Sequence, residues 1–157
     1  MADGPALAKA LEGAGAVVAA RKLLEERPRG GATFRAVNAE RTRALIDAAE
    51  AAGAERFLYV GVAGVDRRAR GRLADAERLA EASLVVSKLP SLALRASLVV
   101  GPGDGHVSRM ARKARRRPPA LVFVGQGWAR SAPMTARDFG RSCACLLYTS
   151  PSPRDRS

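Results

Sequence analysis

The chain has 157 residues and a formal net charge of +12, from 27 lysines and arginines against 15 aspartates and glutamates. That length supports one ordinary domain with a buried core. It holds no apolar run near the roughly 18–20 residues of a membrane span and no secretory leader at its start. Cys143 and Cys145, separated by one residue, exclude a disulfide scaffold and a zinc ribbon. These exclusions leave an intracellular, cytoplasmic globular chain without a metal site.

The charge is unevenly placed. Residues 1–104 carry 16 basic and 13 acidic side chains, whereas residues 105–144 carry nine basic ones against Asp138 alone. The composition, with 23 arginines and 32 alanines, matches a GC-rich coding sequence, so part of the charge reflects codon usage.

The elements follow in chain order. Residues 5–11 form a helix by the spacing of Leu7 and Leu11, with Asp3 in a capping position. Residues 15–20 are continuously apolar, the pattern of a strand buried on both faces in a parallel sheet. Residues 21–32 are charged, contain Pro28 and Gly30, and suit a loop with a helical turn. Residues 38–52 make the clearest helix, with Leu45, Ile46, Ala48, Ala49 and Ala52 on one stripe and Gly53 as the stop.

A second buried strand spans 56–62. A second long helix spans 69–83, with Glu77, Arg78 and Glu81 on its polar side. A third strand spans 92–100 and is closed by Gly101-Pro102-Gly103-Asp104-Gly105, read as a strand exit and not a phosphate cradle. A basic helix, 107–116, and a short strand, 121–124, follow. Apolar strands alternating with helices imply right-handed parallel crossovers with both sheet faces covered.

Four segments carry a family resemblance in a fixed order. They are Ala6–Ala20, the run Val37-Asn38-Ala39-Glu40 opening the long helix, the strand Arg56-Phe57-Leu58-Tyr59-Val60-Gly61, and Leu94-Arg95-Ala96-Ser97-Leu98-Val99-Val100-Gly101-Pro102-Gly103-Asp104. Together they resemble the extended and atypical short-chain dehydrogenase/reductase superfamily. The nearest flavours are the NmrA-like and the complex-I 39-kDa-subunit-like NAD(P)-binding proteins. The resemblance implies an α/β fold: a partial Rossmann-type, doubly wound parallel sheet whose N-terminal strands and glycine-rich turn are missing from these residues. It divides the chain into a truncated NAD(P)-binding domain over 1–144, with the start of a substrate region at about 105–144, and a tail over 145–157. Strand 15–20 is then expected at an open sheet edge.

The same resemblance implies the site. NAD(P) lies against Ala19, Ala20, Val60, Gly61, Ala96 and Ser97, largely through backbone, and His106 falls where the substrate loop begins. The bound partners implied are a nicotinamide dinucleotide and a small-molecule substrate. Of the family's catalytic residues, only the Asn position is filled, by Asn38, which also suits a helix cap. The Ser position falls among Gly61, Val62 and Ala63, and the Tyr and Lys positions fall on Gly71 and Asp75. An atypical member is implied: a reductase, an isomerase or a cofactor-holding subunit. The 157 residues alone are expected to bind cofactor weakly or not at all.

The alternative from another class is a basic nucleic-acid or anionic-surface binding protein using residues 109–117, where Arg109, Arg112, Lys113, Arg115, Arg116 and Arg117 cluster. No aromatic is interleaved there, which argues against nucleic acid and for a solvated face. Trp128 suits a turn and packing position. From Cys145 to Asp155 the chain loses periodicity and resembles a transposase sequencing adapter read through as protein. Residues 145–157 are therefore expected to be non-native or disordered.

Overall fold

The strand Arg56-Phe57-Leu58-Tyr59-Val60-Gly61-Val62 has no polar alternation, so it needs a neighbour along each edge and apolar cover on each face. A computed structural model of the chain, describing residues 4–66, 68–105, 107–116 and 131–149, meets both needs. Strand β2 (Arg56–Val62) lies between β1 (Ala16–Ala19) and β3 (Ser91–Ala96), parallel to both. The register pairs Val17 with Phe57 and Ala19 with Tyr59 on one side, and Leu58 with Leu92 and Val62 with Ala96 on the other. Strand β1 sits at a sheet edge, as the sequence implies.

Parallel strands demand crossovers, and helices supply them. Helix α1 (Gly4–Leu11) precedes β1, α2 (Arg41–Ala51) joins β1 to β2, and α3 (Arg72–Val86) joins β2 to β3. Val17, Phe57 and Tyr59 share one core with Leu11, Ile46, Ala49, Ala80 and Leu84. Residues of alternate parity point to opposite faces, so all three helices cover the same face. This corrects the expectation of helices on both. On the opposite face Leu58 and Val60 are also buried, whereas Val18 is 43% exposed.

Several boundaries move for local reasons. The long helix starts early, as a π-helical turn over Arg35–Glu40 running into α2, because the Thr33 hydroxyl accepts the Ala36 N–H at 3.1 Å. Gly53, at φ +74°, ends it in the left-handed conformation that glycine adopts without strain. Helix α3 starts three residues late: the Asp66 carboxylate first holds the Arg68 and Ala69 N–H groups in a turn, and Gly71 turns the chain at φ +111°. The predicted strand 92–100 is two strands. The chain leaves the sheet after Ala96, and β4 (Val99–Val100) pairs in parallel with β5 (Met134–Thr135).

The described chain forms two units, one containing residues up to Ala96 together with 145–149, the other Ser97–Ala144. The second holds α4 (Val107–Ala114), β4, β5 and most of α5 (Ala136–Thr149). Residues 145–149, expected to be non-native or disordered, are helical. These residues continue α5 because Cys145, Leu146, Leu147 and Tyr148 contain no breaker, the first proline being Pro151. Within the first unit, the Arg56 guanidinium donates to the Leu147 carbonyl at 2.5 Å. The predicted strand 121–124, Trp128, Arg117 and His106 lie outside the described residues.

Phe57 is 1% exposed at the centre of this core. Phe57→Ala is expected to destabilise the chain by about 3–5 kcal/mol in urea unfolding followed by circular dichroism. A loss under about 1 kcal/mol, the range of surface substitutions, would contradict the assigned core.

Candidate functional site

Because the three strands run in parallel, their carboxyl ends emerge along one sheet edge. In open α/β sheets that edge is where ligands bind. Ala19 ends β1 and Ala20 follows it, Val60 and Gly61 lie in the last half of β2, and Ala96 ends β3, where its carbonyl accepts the Ala63 N–H at 2.8 Å. Five of the six residues expected against a cofactor are thus brought to one edge. Ser97, the sixth, is exposed and belongs to the second unit. Gly61 has a packing reason to lack a side chain: a Cβ there would stand 3.3 Å from Arg95 Cγ and 3.4 Å from Glu81 Oε1.

Beside the end of β1 is a cleft of about 270 Å³. Val18, Ala19 and Ala20 line it with Leu7, Arg21 and Arg41. Neither arginine is in an ion pair among the described residues. Pockets for drug-sized ligands run from about 300 to 1,000 Å³, so this cleft lies just below that range. Small residues at the strand ends, with two arginines in no ion pair among the described residues, fit the chemistry of a nucleotide cofactor.

Asn38 is not a helix cap. It lies within the π-helical turn, 0% exposed. Its Oδ1 accepts the Leu23 N–H at 2.8 Å, and its Nδ2 donates to the Leu23 carbonyl at 3.0 Å. Asn38 therefore pins the loop after β1 to the start of the long helix. Gly71 and Asp75, where the resemblance puts the family's Tyr and Lys, bracket the start of α3. Gly71 precedes α3, and the Asp75 carboxylate is paired with Arg78.

One charged cluster escaped the sequence. Glu77 is 0% exposed on the inner side of α3, not on its polar side as the sequence reading placed it. Its Oε1 and Oε2 accept from Lys22 Nζ at 3.0 and 2.8 Å, and Oε2 accepts from the Tyr59 hydroxyl at 3.0 Å. Lys22 Nζ also hydrogen-bonds the Tyr59 hydroxyl and lies 3.7 Å from the centroid of its ring. The available signal was the spacing of Glu77, Ala80 and Leu84, which sets a carboxylate on the helix's buried stripe.

Burial lowers the Lys22 pKa below its ordinary value, with Glu77 opposing the shift. Burial, then the Glu77 charge, pushes the Tyr59 phenol well above the ordinary tyrosine range. The cluster satisfies its own polar groups, and no buried side-chain polar atom lacks a partner among the described residues. Because Lys22 stands two residues beyond Ala20, the cluster fixes the exit of β1 to β2 and α3.

With this geometry in view, comparison with known proteins is informative. Residues 1–99 match the NAD(P)H-binding family, more than half of the chain, and the chain belongs to that family. A search of curated proteins found no match. Among solved structures the chain is similar to MoeE5 in complex with UDP-glucuronic acid and NAD. The TM-score is 0.77 at 22% identity, covering 92% of this chain and 56% of that one. It is also similar to the Bordetella bronchiseptica enzyme WbmG in complex with NAD, with a TM-score of 0.75, 18% identity and coverage of 96% and 52%. A third is DesIV, a dTDP-glucose 4,6-dehydratase from Streptomyces venezuelae with NAD and TYD bound, at 0.73, 18%, 92% and 52%. The chain spans about half the length of these structures. Fold and family define an NAD(P)H-binding protein with a partial Rossmann-like α/β fold. Among the described residues no helix is long and apolar enough to cross a membrane.

Two measurements check the buried cluster. Removing one partner of a buried charge pair strands the other, so Glu77→Ala should cost about 3–5 kcal/mol, whereas Lys22→Met with Glu77→Leu should cost far less. On the pH axis, the unfolded chain holds the Lys22 proton more tightly than the folded one. Stability from Lys22 therefore rises as pH climbs toward 10.5. The Tyr59 phenol has the opposite effect above about pH 10, where only the unfolded chain ionises it. A Tyr148→Phe chain, with Tyr59 as its one tyrosine, should show no phenolate absorbance at about pH 11 while still folded. Ionisation in the ordinary tyrosine range would contradict the buried phenol.

Proposed function

We propose that this chain forms the nicotinamide–ribose side of an NAD(P) site in an atypical short-chain dehydrogenase/reductase, with Ala19, Ala20, Val60, Gly61 and Ala96 presenting backbone to the cofactor. The observation that carries the reading is the alignment of these small and apolar residues at the carboxyl ends of three parallel strands. Bound nicotinamide cofactor supplies a hydride donor or acceptor. The chain's own groups position and exclude water: the Lys22–Glu77–Tyr59 cluster holds the β1 exit in place, and Arg21 and Arg41 offer positive charge for phosphate oxygens.

The atypical assignment rests on Gly71 and Asp75, neither of which can pass a proton as a tyrosine–lysine pair does, and on Gly61, Val62 and Ala63, which lack a hydroxyl. The whole protein then serves as a reductase, an isomerase or a cofactor-holding subunit acting on a small molecule in the cytoplasm. The sugar nucleotides in the similar solved structures are one such substrate class.

The 157 residues contain no glycine-rich turn to cradle a pyrophosphate. Losing several charge-assisted hydrogen bonds at about 1.5–3 kcal/mol each weakens binding severely. Titration of NADH fluorescence with this chain should give saturable binding weaker than about 100 μM, and Ala20→Glu should weaken it at least about tenfold by opposing the phosphates. Low-micromolar affinity would contradict the weak site. No saturable binding, or no effect of Ala20→Glu, would contradict its position.

A further inference from the structure

Helix α4 and the two residues after it form a surface that the cofactor reading does not use. Every residue from 107 to 116 is exposed, with Val107 at 41% and Met110 at 40%. The helix is nonetheless well started, because Asp104 Oδ1 accepts the Val107 and Ser108 N–H groups at 2.6 and 3.3 Å.

At 3.6 residues per turn, Val107, Met110, Ala111 and Ala114 fall on one narrow stripe. Arg109, Arg112 and Lys113 occupy the remaining arc, Arg115 and Arg116 follow the helix directly, and none of the five is in an ion pair among the described residues. No acid lies between Asp104 and Arg116 to neutralise them. A helix of eight residues is marginal unless its apolar side is covered.

We propose that this helix docks on an anionic membrane surface, lying in the headgroup plane with the Val107–Met110–Ala111–Ala114 stripe toward the acyl boundary and the basic arc on lipid phosphates and carboxylates. Strong segregation of the two sides, low mean hydropathy and an arginine-rich polar arc are the marks of an interfacial helix. Charge complementarity selects an anionic bilayer, whose cytoplasmic leaflet attracts such clusters. Nucleic acid would engage the arginines but leave the stripe bare, and no described residue of the helix offers a ring for stacking. The stripe carries no aromatic anchor, so docking is reversible and depends on salt. The proposal is independent of the cofactor reading.

The test is co-sedimentation of the 157-residue chain with vesicles of equal parts phosphatidylserine and phosphatidylcholine, or of phosphatidylcholine alone. Binding is expected only to the anionic vesicles, and it should fall sharply between about 0.1 and 0.5 M salt. Each basic residue near such a surface contributes roughly a fivefold effect, so Arg109→Gln with Arg112→Gln and Lys113→Gln should weaken binding on the order of 100-fold. An equal loss of charge elsewhere, Arg27→Gln with Arg29→Gln and Arg70→Gln, should weaken it far less. Val107→Ser with Met110→Ser, which leaves charge unchanged, should weaken it roughly tenfold. Duplex DNA and RNA are measured in parallel by fluorescence anisotropy. The proposal is overturned if vesicle binding ignores lipid charge, if the two charge variants behave alike, or if nucleic acid binds as tightly and the serine variant binds as the parent does.

Discussion

A parallel strand cannot hairpin back to its neighbour, and this constraint organises the first unit. Each step from β1 to β2 to β3 crosses over through a helix. Because both steps run in the same direction along the sheet, the right-handed rule sends α2 and α3 to the same face. The two helices therefore pack against each other as well as on the sheet. The carboxyl ends of all three strands are aligned as a by-product. A ligand-binding edge thus follows from topology before any side chain is considered.

The Lys22–Glu77–Tyr59 cluster is a second consequence. Only when α3 lies over β2 does Glu77 meet Tyr59, and only when the chain leaving β1 turns back toward the helices does Lys22 reach both. Burying such a group is costly without partners, and here each polar atom has one. The π-helical turn and the buried Asn38 serve the same segment from the other side. They tie Leu23 to the helical layer, so the residues following Ala20 are held at two points. A floppy β1 exit would leave the carboxyl edge of the sheet undefined.

Much of this was legible in the sequence. The strand 56–62 stood out because it must be buried on both faces, and the long helix because its apolar stripe and Gly53 agree. The residues at the strand ends followed from a family resemblance that the family match to residues 1–99 supports. The spacing of α3 marked Glu77 as buried, but its pairing was not legible: Lys22 lies 55 residues from Glu77 and 37 from Tyr59, and charge at that separation leaves no local pattern. Asn38 misled for a related reason: its position near the helix start suits a cap, whereas its partner is the backbone of Leu23, 15 residues earlier. At 145–149 the lost periodicity and the adapter-like sequence gave no sign of a helix, yet these residues contain no breaker and continue α5.

The central claim is that the carboxyl edge of β1, β2 and β3 is a nicotinamide-cofactor surface. Amide proton–nitrogen correlation spectra of the chain, recorded with rising NADH, test it most directly. The account predicts that the amides of Ala19, Ala20, Val60, Gly61 and Ala96 shift together along one saturation curve, while those of α4 stay in place. Shifts confined to the basic helix, or scattered without saturation, would contradict it.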